Sequence, residues 1–204
     1  MVSTQRFIWL ACAAAALLAQ SSGATTVRSV SMSQMALAAE LVFEGRVLTQ
    51  ESRGEGGKIR TCIEFEVIEV VKGPPIDSPL ELCFSGGTHK GQTRRIHGMR
   101  HPQPGERGIY FVETLRESRV NPLLGWEQGH FRIAIDGSNA VETADGRPVV
   151  SVEPDDETGA QLSGGVARGA RVSSRQARSA NTPAPLTSDE FKARVRALLE
   201  EGGR

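Results

Sequence analysis

Apolar and polar residues alternate along much of this chain, and the alternation predicts short β-strands. The longest example is residues 58–71, where Ile63 and Phe65 share one face and Glu64 lies between them, as in a strand with one buried face. Further strands are predicted at residues 41–48, 80–84, 108–113, 123–126, 130–135, 140–143 and 148–151. Many short strands separated by turns are typical of a sandwich or a small barrel.

Glycine-containing turns separate these segments. The pairs Asp136-Gly137 and Asp145-Gly146 predict hairpins between their flanking strands. Residues 52–57 form a polar, glycine-rich stretch that predicts a turn after the first strand. Gly45 inside that strand predicts a bulge or bend, the device that lets a sheet curl.

Two short helices flank the β segments. Ser31 or Ser33 can cap a helix near the start of the mature chain. Thr187 and Glu190 form a capping box for a second helix at residues 187–201. The apolar residues of that helix fall on one face: Phe191, Val195, Leu198 and Leu199. A helix of this length is marginal alone, so it docks either on its own chain or on a partner.

The first 24 residues have the features of a secretory signal peptide. Arg6 supplies the positive charge, residues 7–19 are apolar, and small residues precede a cleavage point after Ala24. The apolar run is shorter than the roughly 20 residues that a membrane span needs. We therefore predict an exported chain, periplasmic or secreted, with no membrane span after cleavage.

The composition changes after the β segments. Residues 152–186 contain few large apolar side chains, and segments of that kind cannot bury enough surface to stay ordered. The predicted organisation is a signal peptide at 1–24, a β domain at 25–151, a disordered linker at 152–186 and the helix at 187–201. Lys and Arg together number 24, as do Asp and Glu, so overall charge gives no attraction for nucleic acid or an anionic membrane.

Two cysteines, Cys62 and Cys83, remain after signal cleavage, and in an oxidising compartment they are candidates for a disulfide. If residues 61–71 and 80–84 form a simple hairpin, Cys83 lies opposite Ile68, about 20 Å from Cys62 at strand rise. That distance is too long for a bond. A disulfide therefore requires a different pairing, and the sequence leaves both alternatives open.

Residues 85–107 form a long connection that is rich in basic residues and has Glu106 as its single acid. Its basic residues are Lys90, Arg94, Arg95, Arg100 and Arg107. Such a segment can hold an anion or an acidic protein surface, and long loops are often functional. The plain alternative is a solvated charged loop. The segment has no aromatic side chains for stacking, so single-stranded nucleic acid is not a predicted ligand.

Three histidines in the same connection, His89, His97 and His101, are weak candidates for a metal site. The spacing of His97 and His101 suits a helix, but Gly98 and Pro102 disfavour one, and the neighbouring arginines would repel a cation. The sequence contains no nucleophile elbow and no phosphate-binding loop motif. We therefore predict no catalytic residues and no cofactor.

Three stretches carry a resemblance to known proteins: VFEGRV at 42–47, FEVIEVVKG at 65–73 and PGERGIYFV at 104–112. Their order resembles uncharacterised exported bacterial proteins and, more distantly, the netrin-like domains of the tissue inhibitors of metalloproteinases. The resemblance covers about residues 40–135 and implies an OB-type barrel of five or six strands that binds protein. The inhibitors chelate zinc through an N-terminal Cys-x-Cys, and the mature start here, Thr25-Thr26-Val27, has no cysteine.

The sequence thus favours an all-β fold, a small OB-like barrel or meander with a short N-terminal helix and a C-terminal amphipathic helix. The predicted function is an exported, non-enzymatic binding module, in one form protease-inhibitor-like, that contacts an envelope or secreted protein through residues 85–107. The first alternative is a structural envelope protein whose linker lets the terminal helix reach a neighbouring assembly. The second is a zinc-dependent hydrolase built on the three histidines.

Overall fold

A computed structural model describes residues 28–154, 165–173 and 183–203. These residues form two α-helices, ten β-strands and one 3-10 helix. In chain order they are α1 (Met32–Ala38), β1 (Leu41–Glu55), β2 (Lys58–Lys72), β3 (Leu80–Ser85), β4 (Gly87–His89), β5 (Gln92–Arg94), β6 (Arg107–Val112), the 3-10 helix (Trp126–Gly129), β7 (His130–Ile133), β8 (Val141–Thr143), β9 (Val149–Val152), β10 (Ala170–Val172) and α2 (Ser188–Gly202). The predicted signal peptide lies outside the described residues.

Six strands form one antiparallel sheet in the order β3-β2-β1-β6-β7-β8. The predicted predominance of β structure is confirmed. In the described residues β3 and β8 do not pair with each other, so the sheet is open and the closed OB-type barrel is not confirmed. The register between β1 and β2 shifts between Glu44 and Gly45, which confirms the irregularity predicted at this glycine.

Successive side chains of β1 and β6 point to opposite sides of the sheet. Each side carries its own cluster of buried side chains. One face, which we call the helix side, carries Val42, Ile109 and Phe111, and packs against α1 and α2. The opposite face carries Phe43 and Tyr110 in an aromatic group with Phe65, whose ring centroids lie 4.9–5.6 Å from their neighbours. Each cluster is a separate core.

Both helices begin at the predicted caps. The side chain of Ser31 accepts a hydrogen bond from Gln34 N, and Thr187 does the same for Glu190 N, with complete capping boxes in both cases. The apolar face of α2 is buried against the helix side of the sheet through Phe191, Val195 and Leu198. The terminal helix thus docks on its own chain, which occupies the face that a neighbouring assembly would need.

Several predicted strand boundaries were wrong, because strand length depends on which strands pair. β1 continues to Glu55 because it pairs with β2 along its whole length, so the predicted turn at 52–57 is reduced to Gly56 and Gly57. Residues 123–126 form no strand. Leu123 makes one bridge to Val112, and the chain then enters the 3-10 helix.

The linker prediction does not hold for residues 165–173. β10 pairs antiparallel with β9, with Ala170 opposite Val152, and Ala167 is buried in the helix-side core. Backbone hydrogen bonds between Arg168 and the Val30–Met32 segment fix this stretch next to α1. The small side chains of this segment bury little apolar surface, and backbone hydrogen bonds hold the segment in place instead.

A disulfide joins Cys62 and Cys83, with the two Cα atoms 4.0 Å apart. β2 and β3 pair antiparallel with Cys62 directly opposite Cys83 and Phe65 opposite Leu80. The expectation that Cys83 lies opposite Ile68 was wrong, because the second half of β2 pairs with β1 and not with β3. The connection between β2 and β3 is therefore much longer than a tight hairpin loop.

Candidate functional site

Residues 85–107 are not a structureless loop, as the sequence suggested, but begin with a small hairpin. β4 and β5 pair with Gly87 opposite Arg94, and Lys90 and Gly91 form the tip with positive φ angles of 48° and 77°. At its base Gly87 has a φ of 126°, and a Cβ there would lie 2.3 Å from Thr61 Oγ1. Only glycine fits this approach to β2.

The hairpin is fastened to the main sheet at its base. Gly86 N donates to Ile59 O at 2.8 Å, and Thr61 Oγ1 donates to Gly86 O at 2.8 Å. Further along, His89 Nδ1 lies 3.1 Å from Ser52 O. These bonds tie the hairpin to β1 and β2, so its side chains project from a fixed base.

A cleft with a volume of about 330 Å³ lies between the hairpin and the following residues. Its lining comprises Ser85, Gly86, Gly87, Thr88, Thr93, Arg94, Arg95, Ile96, Met99, His101 and Gln103. It contains two arginines and no carboxylate. Burial lowers the pKa of His101, against the opposing hydrogen bond to Ser85 O, so the guanidinium groups supply the positive charge of this cleft at neutral pH.

The structure divides the five predicted basic residues into two groups. Lys90, Arg94 and Arg95 are exposed and make no ion pair or side-chain hydrogen bond with any described residue. Arg100 donates to Ala144 O at 2.7 Å, and Arg107 Nε donates to Glu44 Oε1 at 2.7 Å. The first group makes no polar side-chain contact within the described part of the chain, and we call it the hairpin cations.

The three histidines are not brought together as metal ligands. His89 and His101 each lie next to a different backbone carbonyl, and His97 is exposed. Among described residues, the only group of three side chains with ligand atoms within 4.8 Å of one another is Cys62, Glu81 and Cys83. Its two sulfur atoms are bonded to each other, so the structure offers no support for the histidine-based zinc site.

A second cleft, of about 350 Å³, lies on the other side of Ser85. Its lining comprises Gly56, Lys58, Arg60, Ser85, Ser118, Arg119 and Val120. The sequence did not single out its basic residues, because they come from the start of β2 and from the charged loop at 113–122. The alternation of β2 does place Arg60 on the polar face, but only the fold brings Arg119 to it.

Buried ionic groups form a separate feature on the helix side. Glu44 is fully buried and contacts both Arg107 and Lys192, whose Nζ lies 2.6 Å from Glu44 Oε2. The two groups form a buried ion pair. Lys192 also pairs with Glu69 and with Asp189. This cluster fastens α2 to β1 and β2, which is a structural role.

Glu106 and His130 form a second buried pair, with His130 Nε2 2.5 Å from Glu106 Oε1. Burial alone would raise the pKa of Glu106, but the hydrogen bond from His130 and the charges of His130, Arg132 and Arg100 lower it. A carboxyl whose pKa is lower in the folded chain stabilises the fold above its unfolded pKa and loses that contribution as the pH falls.

We expect the free energy of unfolding to decrease as the pH falls below about 4.5, the ordinary pKa of a glutamate. Urea unfolding between pH 3 and pH 7 measures this dependence. Glu106→Gln should flatten the acid limb, whereas Glu66→Gln, at a half-exposed carboxylate 3.7 Å from Arg46, should leave it unchanged. Equal acid limbs for wild type and Glu106→Gln would contradict the assignment.

Comparisons with known proteins returned no match: no family model, no curated protein and no solved structure is similar to this chain. No described helix is both long enough and apolar enough to cross a membrane.

Proposed function

We propose that this protein is an exported, non-enzymatic binding module that holds an acidic surface of a protein partner with the β4–β5 hairpin. The observation that carries the proposal is the group of hairpin cations, Lys90, Arg94 and Arg95, which have no partner in the described part of the chain. Most other arginines near the sheet are paired within the fold. Cations that the fold leaves unpaired are free to bind a partner's carboxylates.

The cleft beside the hairpin supports an anionic partner. Arg94 and Arg95 line it together with Thr88 and Thr93, whose hydroxyl oxygens lie 2.9 Å apart, and no acidic residue lines it. A surface with one sign of charge attracts oppositely charged partners during diffusion. Threonine hydroxyls add donors and acceptors that suit a polar protein surface.

The fixed base of the hairpin favours recognition over nonspecific attraction. Hydrogen bonds to Ile59 and Thr61 hold Gly86, and Thr88 N donates to Ser52 Oγ at 3.3 Å. A binding element that is already ordered loses less conformational entropy when it meets its partner. The arginines themselves retain side-chain freedom and can adapt to carboxylate positions.

Export is part of the proposal because two independent features support it. Residues 1–24 have the composition of a signal peptide, and the Cys62–Cys83 disulfide is of the kind that persists in oxidising compartments. The predicted OB-type barrel and the netrin-like resemblance would fit protein binding as well. Both remain part of the proposal.

Affinity capture with the mature chain, residues 25–204, tests the proposal. We expect an acidic exported protein to be retained at low salt and released as salt screens the charges. The double substitution Arg94→Ala/Arg95→Ala should abolish capture and change the free energy of unfolding by less than about 0.5 kcal/mol, because both side chains are exposed.

Arg46→Ala/Arg194→Ala is the matched control, since it removes the same charge from exposed positions on β1 and α2. It should keep capture. Capture that survives the hairpin double substitution, or that both double variants lose equally, would overturn the hairpin assignment.

A further inference from the structure

The second cleft is lined by three basic residues, Lys58, Arg60 and Arg119. Three cations and the hydroxyl groups of Ser85 and Ser118 line its volume of about 350 Å³, and no carboxylate does. We propose that this cleft binds a tetrahedral oxoanion, a phosphate or sulfate group carried by a small molecule or glycan. The proposal concerns a different set of cations from the hairpin and does not depend on the proposed function.

Arg60 is held in position before any ligand arrives. One terminal nitrogen, Nη1, donates to Ser118 Oγ, and the other, Nη2, donates to Cys83 O at 2.8 Å. A guanidinium has five N–H donors, so each terminal nitrogen keeps a further N–H. The fixed planar group can therefore present paired donors to an oxoanion without first losing side-chain freedom.

Lys58 supplies a second cation to the cleft. It is the first residue of β2, it is exposed, and its ammonium group has no hydrogen-bond or ion-pair partner among the described residues. The neighbouring tip consists of Gly56 and Gly57, with φ angles of 54° and 75°. Without side chains at these two positions, the approach to Lys58 stays open.

Arg119 closes the other side of the cleft and is partly neutralised. Its Nη2 lies 3.1 Å from Glu117 Oε2 and 3.6 Å from Glu113 Oε1. These contacts orient the guanidinium and leave Nη1 and Nε for a ligand. They also reduce the local positive charge, so we expect a dissociation constant on the order of 1 mM for a free ion.

The placement of the cations favours a tetrahedral anion over a carboxylate. Lys58 and Arg60 belong to β2, whereas Arg119 belongs to the loop that crosses β3, where Ser85 N donates to Val120 O at 2.8 Å. Donors therefore come from two separate walls. A phosphate or sulfate offers three or four oxygens to donors on different sides, whereas a carboxylate offers two in one plane.

Calorimetric titration of the oxidised mature chain with sodium phosphate and with sodium sulfate tests the site, with sodium chloride at matched ionic strength as reference. We expect saturable binding of at least one oxoanion. Arg60→Gln should weaken it about tenfold, and Lys58→Gln about fivefold, since each removes a charge-assisted contact. Tighter phosphate binding would assign phosphorylated ligands, and tighter sulfate binding would assign sulfated ones.

Arg194→Gln is the matched control, because it removes an exposed cation from α2 and lies in the lining of neither cleft. It should bind the oxoanion as wild type does. Arg60→Gln also loses its bond to Cys83 O, so Lys58→Gln, at an exposed side chain, decides the question if Arg60→Gln unfolds. Binding no stronger than chloride, or unchanged by Lys58→Gln, would overturn the proposal.

Discussion

Lys192→Met should lower the free energy of unfolding by about 3 kcal/mol or more, because it leaves Glu44 buried without one of its two cations. Glu44 is 0 % exposed and Lys192 is 4 % exposed, so water cannot replace the lost ammonium. Methionine keeps most of the apolar length of lysine. The loss therefore measures the charge and not the packing of the side chain.

The ionic state of Lys192 supports this expectation. Burial opposes its charge, but the carboxylates of Glu44, Glu69 and Asp189 outweigh that effect and hold its pKa above the ordinary value of 10.5. A cation whose pKa is raised on folding stabilises the fold at every pH below its unfolded pKa, and the contribution is lost only as the pH rises above it. At neutral pH the full contribution is therefore present.

Urea unfolding at pH 7 measures the difference. Arg194→Ala is the matched control, because Arg194 lies two residues further along α2 with its side chain exposed, and it should change the free energy by less than about 0.5 kcal/mol. The double substitution Glu44→Gln/Lys192→Met should recover part of the loss, since it removes the stranded carboxylate. A change below about 1 kcal/mol for Lys192→Met alone would contradict the role of the ion cluster.

The parts of the fold that the sequence predicts well are those that depend on neighbours in the chain. The capping box predicted at Thr187 needs only Glu190, three positions away, and the cap predicted at Ser31 or Ser33 is Ser31. The two faces of β2 follow from alternation, which is a local property. Gly45 predicts an irregularity because a glycine inside a strand can be recognised in the sequence without knowing which strand pairs with it.

The parts that it missed depend on which strands pair. β2 is paired with β1 along its length and with β3 only over its first half, so the Cys62–Cys83 register could not follow from a hairpin assumption. Gly87 and Thr61 are 26 positions apart in the sequence, and they come close only because the hairpin folds back on β2. Contacts of this kind need the topology first.

The candidate site shows the same division. The sequence identified the basic residues of 85–107 but could not separate the free hairpin cations from Arg107. Arg107 belongs to β6 and shares a strand face with Ile109, whose side chain lies in the helix-side core. If the strand predicted at 108–113 had been started one residue earlier, alternation would have placed Arg107 on the same face as Ile109, where it meets Glu44. Its availability to a partner is therefore a matter of strand register, not of local composition.

The second large effect should come from the disulfide. Cys62→Ala/Cys83→Ala should lower the free energy of unfolding by about 3 kcal/mol, the loop-closure contribution expected for two cysteines separated by 21 positions. The bond joins directly opposed residues of β2 and β3, so its loss frees an edge strand that has one strand partner in the sheet. We expect the reduced wild type to match the double variant.

The disulfide also lies next to residues that line the two clefts. Cys83 O holds Arg60, and Ser85, two residues later, lines both clefts. Urea unfolding of the oxidised, reduced and double-alanine chains gives the stability difference, and oxoanion titration of the still-folded double variant shows whether the bond also fixes the second cleft. If the oxidised and reduced chains unfold at the same urea concentration, the bond contributes nothing, because β2–β3 pairing alone then holds the edge strand.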